Sequence, residues 1–310
     1  MRAAAHDTKA HMLHLIAVSL IWAFSFGLIK GQLAGLEPSG VAAVRLLLSC
    51  LFFLPLLRLR EVPRELRPRL VGIGAVQYGA MYLLYIHAYR YLKAHEVALF
   101  TLFTPLWVAA FADLFQRRFR PRFWATALLS VLGTAVVVQP RLERTGVLWG
   151  FLLIQLSNAC FAYGQLRYKL LREQHPGLSD ARSFGLLYAG ALAVALPAAL
   201  LSWDGSLLAM SATQAGALTY LGVLASGLCF FWWNVGATRV DAGTLAAAND
   251  LKVPTAVAVS LLVFGESANV PRLLLGGGLV LVALMLNRLR EPALAARLAA
   301  GSRAGPRPHQ

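Results

Sequence analysis

The sequence predicts an all-α polytopic membrane protein of ten transmembrane helices arranged as two five-helix inverted repeats. Three observations lead there. The 310 residues are 58% hydrophobic and only 14% charged, with mean hydropathy +0.62, outside the range of ordinary soluble domains. The apolar residues gather into segments of about 17–25, the length that crosses roughly 30 Å of hydrocarbon as a helix. The basic residues fall between those segments, with a strong bias to one side.

The segments are 11–29, 38–57, 70–90, 95–114, 122–139, 146–167, 182–202, 213–236, 243–264 and 270–288. The first follows a basic flank, as the core of a signal peptide does. No small-residue cleavage pattern follows Phe26 and further spans come after, so it is read as span one. Connections are short, which leaves no room for an ATPase or receptor module, and no phosphate-binding G-x-x-x-x-G-K-[ST] occurs. With the N-terminus in the cytoplasm, 21 of the 29 Lys and Arg residues lie in inside segments. Both termini are therefore expected in the cytoplasm, in the inner (plasma) membrane, with 1–10 a short leading segment and 289–310 a disordered basic tail suited to touch anionic lipid.

The net charge of +15 is absorbed by this topology and forms no basic face for nucleic acid. Cys50, Cys160 and Cys229 all sit in apolar runs and read as small buried side chains, so neither a metal site, a disulfide frame nor a cofactor is expected. Without H-E-x-x-H, G-x-S-x-G or paired intramembrane aspartates, no enzyme is expected either.

Comparing the halves reveals a weak repeat. Ala88-Tyr89-Arg90 lies over Ala237-Thr238-Arg239 and Pro105 over Pro254 at an offset of 149, while Trp22 to Lys30 lies over Phe161 to Lys169 at 139. Each copy (11–139 and 146–288) holds five spans, an odd number, so the two copies insert with opposite orientations, the arrangement that exposes one site alternately to two sides. Pro254 through Gly265-Glu266 resembles the P-x(10)-G-E signature of EamA-type members of the drug/metabolite transporter superfamily. Trp22 with Lys30, Arg45, and Tyr89 leading to Pro105 are similar to that family's first half. The resemblance runs from about His11 to Arg288, and implies a ten-helix secondary carrier with a central cavity lined by spans one, three, four, six, eight and nine. The chain departs from the pattern at Gln116-Arg117, where the first copy's Gly-Glu would stand, and at Asn249-Asp250-x-Lys252.

Polar groups inside apolar spans mark the candidate site, because burying them without a partner is costly. Asp250 and Lys252 lie about 10 and 14 Å into span nine, and residues two apart point to different sides of a helix, so each needs a partner elsewhere. They stand either on a substrate path or in fixed ion pairs between helices. Pro254 and Pro105 are expected to kink their helices and free the carbonyls of Asp250 and Thr101. Arg45 is a third buried charge, able to meet an anion or to bind backbone carbonyls. Tyr78, Tyr82, Tyr85 and Tyr89 share one face of span three in an ordinary helix. Span one adds Trp22 and Ser25, span six Gln155, Asn158, Tyr163 and Gln165, and span eight Trp233 and Asn234. His95 and Glu96 mark the outer mouth of span four, either as proton-coupling groups or as an interfacial pair beside Arg90 and Lys93.

The candidate substrate-binding set is thus Trp22, Tyr78, Tyr82, Tyr85, Asn158, Trp233, Asn234, Asn249, Asp250 and Lys252, with Arg45 and Glu96 as charge partners or coupling groups. The function expected is secondary transport of a small amino-acid-like solute or amine by alternating access, in the export direction that the resemblance implies, with protons as a possible coupling ion and lipid as surroundings. A lipid-handling or intramembrane enzyme, or a non-transporting subunit, is the alternative.

Overall fold

The computed structural model describes residues 2–116, 132, 145–239, 242–267 and 269–289. Side chains are described from residue 17 onward, apart from those of 109, 116, 145, 239, 242–251, 280–281 and 283–289. The described residues are helical and connected by short turns, with no strand among them. In order they form α1 (Arg2–Gln32), α2 (Pro38–Phe53), α3 (67–88), α4 (94–116), α5 (Thr145–Gln174), α6 (Asp180–Leu201), α7 (212–239), α8 (Ala242–Leu262) and α9 (Val270–Leu289). Six stretches, in α2 through α7, are long and apolar enough to cross a membrane, and shorter apolar stretches lie at Ala17–Gln32, Lys252–Leu262 and Val270–Leu279. The protein is therefore a polytopic helical membrane protein. The expected span 122–139 lies outside the described residues except for Leu132, and the tail after 289 lies wholly outside them.

Packing follows a rule legible in the contacts. α1 packs on α7 and α8, α2 on α6 and α7, α3 on α5 and α6, and α4 on α5 and α8. Exchanging α1–α4 with α5–α8 leaves this set of partners unchanged.

Helices with apolar surface all round pack through shape, and small residues let backbones approach. At the α3–α6 crossing, a Cβ on Gly74 would lie 1.9 Å from the Leu187 carbonyl oxygen, and one on Gly190 1.9 Å from that of Val71. Beside this crossing Phe53, Tyr78, Phe184, Tyr188 and Phe231 form a continuous aromatic core with ring centroids 5.2–6.2 Å apart.

Two helices depart from α-geometry at related places. α3 is π-helical over Ala75–Ala80 and α7 over Tyr220–Leu228. A π-turn redirects carbonyls out of the helix, and inside a membrane something else must satisfy them. In α7 the work falls to side chains of three neighbours. Ser49 Oγ donates to Gly222 O (2.8 Å), Trp22 Nε1 to Ala225 O (2.9 Å), and the Tyr188 hydroxyl to the carbonyls of Ser226 and Gly227.

Candidate functional site

α4 is broken where Pro105 requires it. α-Helix over Ala94–Phe100 gives way to a 3₁₀ turn at Thr101–Phe103 before α-helix resumes at Thr104. Thr104 N–H turns back to Thr101 O, which also accepts from Thr104 Oγ1 at 2.8 Å. Phe100 O is released from its helical partner and taken by Asn158 Nδ2 at 2.9 Å and Gln155 Nε2 at 3.4 Å. Two polar side chains of α5 thus find their purpose in the break. α8 runs as one α-helix through Pro254, which is exposed while Lys252 is buried.

At the level of the break lies a central cavity. Its volume is about 80 Å³. Walls come from seven helices of both halves: Trp22, Ser25 and Phe26 of α1, Arg45 of α2, Met81, Tyr82 and Tyr85 of α3, Thr101 and Thr104 of α4, Ser157, Asn158 and Phe161 of α5, Phe230 of α7, and Lys252 of α8.

Arg45 is 2% exposed. Its Nε donates to Ser226 Oγ at 3.1 Å, its Nη2 to the Tyr82 hydroxyl at 3.0 Å, and its guanidinium lies 4.5 Å from the centre of the Tyr82 ring. Nη1 is buried and has no hydrogen-bond acceptor. Lys252, on the opposite half, holds its ammonium 5.3 Å from the centre of the Trp22 ring. Both cations lie near aromatic rings that also line the cavity.

Of the residues the sequence singles out, Trp22, Tyr82, Tyr85, Asn158, Arg45 and Lys252 meet on this wall. Tyr78, Trp233 and Asn234 are buried but absent from it. Asn234 Nδ2 donates to the Tyr78 hydroxyl at 2.7 Å, Gln77 Nε2 donates to Asn234 Oδ1 at 3.0 Å, and Trp233 packs against Trp22 with its ring tilted, centroids 5.1 Å apart. Tyr78 packs on Phe230 as Tyr82 does, a turn away along α3, with its hydroxyl taken by Asn234 and off the cavity wall. The side chains of Asn249 and Asp250 lie outside the described ones. Glu96 does not line the cavity and accepts from the Lys93 backbone N–H at 2.8 Å, closing the first turn of α4.

His95 pairs with a residue of the other half. Gly265, at φ +64°, turns the chain after α8 so that Glu266 reaches the start of α4. There its carboxylate accepts from Ala94 N–H (2.8 Å), His95 N–H (3.2 Å), His95 Nδ1 (2.7 Å) and Ser260 Oγ (2.5 Å). Lys93 Nζ reaches Ser267 O at 2.7 Å beside it. Burial pushes the Glu266 pKa up, but these hydrogen bonds outweigh it and hold the group at about 2, against an ordinary 4.5. Toward the same end of the bundle a second hollow of about 340 Å³ is lined by Lys30, Glu37, Tyr89, Arg90 and Asp204, among others. Tyr85 lines the central cavity and Tyr89 this second hollow, and their hydroxyls bond at 2.8 Å.

A bundle of apolar helices with a cavity between its two halves, largely apolar but carrying two cationic side chains, is an architecture that suits a membrane transporter. The profile of the EamA-like transporter family matches residues 9–139. The chain is 46% identical over 286 residues to the probable biotin transporter of Pseudomonas aeruginosa, covering 90% of this chain and 98% of that one. It is 39% identical to the biotin transporter of Salmonella typhimurium and 38% to that of Escherichia coli K12, in each case over 89% of this chain and 93% of the relative. One solved crystal structure superposes with a TM-score of 0.63 at 17% identity, covering 89% of this chain and 95% of that one, a likeness of fold. The chain belongs to the EamA-like transporter family of the drug/metabolite transporter superfamily, and is a transporter rather than an enzyme.

Proposed function

We propose that this chain carries a small metabolite across the inner membrane by alternating access, with both termini in the cytoplasm and ten spans in two inverted five-helix repeats. The central cavity is the observation that carries the reading: its walls come from helices of both halves, and it lies beside a proline-broken helix. The exchange of packing partners between α1–α4 and α5–α8, and the π-turns in α3 and α7, support the repeat. With that orientation the 340 Å³ hollow faces outward, and the Tyr85–Tyr89 pair is the barrier between it and the cavity. Biotin is the first solute to test, because the relatives are named for it.

The test is growth. A bacterial strain unable to make biotin and lacking its own biotin carrier, expressing this chain, is expected to grow at limiting external biotin where the empty-vector strain does not. A fluorescent protein fused after residue 310 is expected to fluoresce in the same cells, as a cytoplasmic C-terminus requires. No growth advantage at verified expression would contradict the substrate, and a dark fusion in growing cells would contradict the orientation.

A further inference from the structure

Two cationic side chains stand on the cavity wall, and none of the described residues lining it is a carboxylate. Resting on the transporter reading, we infer that Arg45 and Lys252 are the anchoring pair for a substrate carboxylate, and that the site selects a monocarboxylate with an apolar body over the amino-acid-like solute or amine expected from the sequence. Arg45 is nearly fully buried and already held from two directions, by Ser226 on Nε and Tyr82 on Nη2. Its orientation is therefore set before a ligand arrives; the side chain lines the cavity, and Nη1, without an acceptor and closed off from solvent, is a donor that a carboxylate meets as the wall yields to it. A guanidinium presents N–H donors in a fixed fork that fits a carboxylate, and such charge-assisted bonds are stronger than neutral ones. Lys252 brings a second positive charge from the other half of the molecule.

The rest of the wall suits the rest of such a molecule. Phe26, Met81, Phe161 and Phe230 offer apolar surface, while Thr101, Thr104 and Asn158 offer a few hydrogen-bonding groups at the helix break. A buried site built around a charged acceptor discriminates against the neutral analogue, because the analogue leaves buried donors poorly met.

The experiment compares acids with their own primary amides, so that size and ring are held constant. Purified protein in liposomes is assayed with labelled biotin and a panel of other cyclic and chain monocarboxylates, each paired with its amide. Wild type is expected to prefer the acid by about 100-fold or more. Arg45→Gln and Lys252→Gln are each expected to bring the acid-to-amide ratio down at least tenfold while transport of the amide persists, and Arg45→Lys to restore part of the preference. A defect in folding lowers both members of a pair alike, so the ratio isolates recognition. Should Arg45→Gln fail to fold, Lys252→Gln and Arg45→Lys still read the ratio. Transport without acid preference, or a wild-type ratio retained in folded variants, overturns the inference and leaves the transporter reading standing. No flux of any pair by folded wild-type protein overturns both.

Discussion

Glu266 shows what a single side chain in a signature motif does. Sequence inspection finds it as the last letter of P-x(10)-G-E; the structure shows that Gly265 makes the turn and Glu266 caps a helix of the other half. A carboxylate held at about 2, against an ordinary 4.5, stabilises the fold fully above about pH 4.5, and that stabilisation is lost as pH falls through 2. Thermal unfolding of the detergent-solubilised protein is therefore expected to weaken between pH 4.5 and 2. Glu266→Gln is expected to melt lower at pH 7 and to lose less over that interval, whereas identical pH curves for variant and wild type would contradict the assignment. The partners were harder to foresee. His95 was legible only as a neighbour of Glu96, since a contact 171 residues away leaves no local pattern.

At the scale of elements, polar residues in apolar spans were good guides and apolar ones gave none. Arg45, Lys252, Asn158 and Tyr82 stand out because the membrane makes each of them expensive to bury without purpose. Phe26, Met81, Phe161 and Phe230 complete the same wall, but a helix apolar on every side does not announce which side faces a cavity. Tyr78 stands out in the same way yet lies off the wall, its hydroxyl bonded by Asn234. Close helix crossings were also hidden, because any glycine in a span can be incidental. The α3–α6 crossing makes a sharp prediction. Gly190→Ala places a Cβ 1.9 Å from the backbone oxygen of Val71, so the helices must separate, at a cost of about 1–3 kcal/mol read by thermal unfolding. Gly216→Ala, in α7 with open space around it, is expected to be neutral or slightly stabilising. Equal effects of the two would show that the crossing is not tight.

For the whole molecule, the all-helical membrane class followed from hydropathy; six described helical stretches are long and apolar enough to cross a membrane, three shorter apolar ones lie where spans were expected, and 122–139 is outside the described residues except for Leu132. The weak sequence repeat gains meaning from packing, since the two sets of four helices exchange partners without changing the pattern. Sequence identity between halves fades while packing roles persist, because many apolar residues fill a helix interface equally well. Substrate chemistry was the least legible level. Asp250 and Lys252 suggested a zwitterion or an amine, while the described residues of the wall place Lys252 with Arg45, a residue more than 200 positions away in sequence, and no described acid.

The central claim is that a small solute passes through this cavity. The most direct measurement is counterflow in liposomes containing only the purified protein, preloaded with unlabelled biotin and diluted into a trace of labelled biotin. Transient accumulation of label above the level in protein-free liposomes, abolished when the internal biotin is omitted, is the result this account predicts. Label that never exceeds the protein-free control, with folded protein confirmed by its unfolding transition, would contradict it.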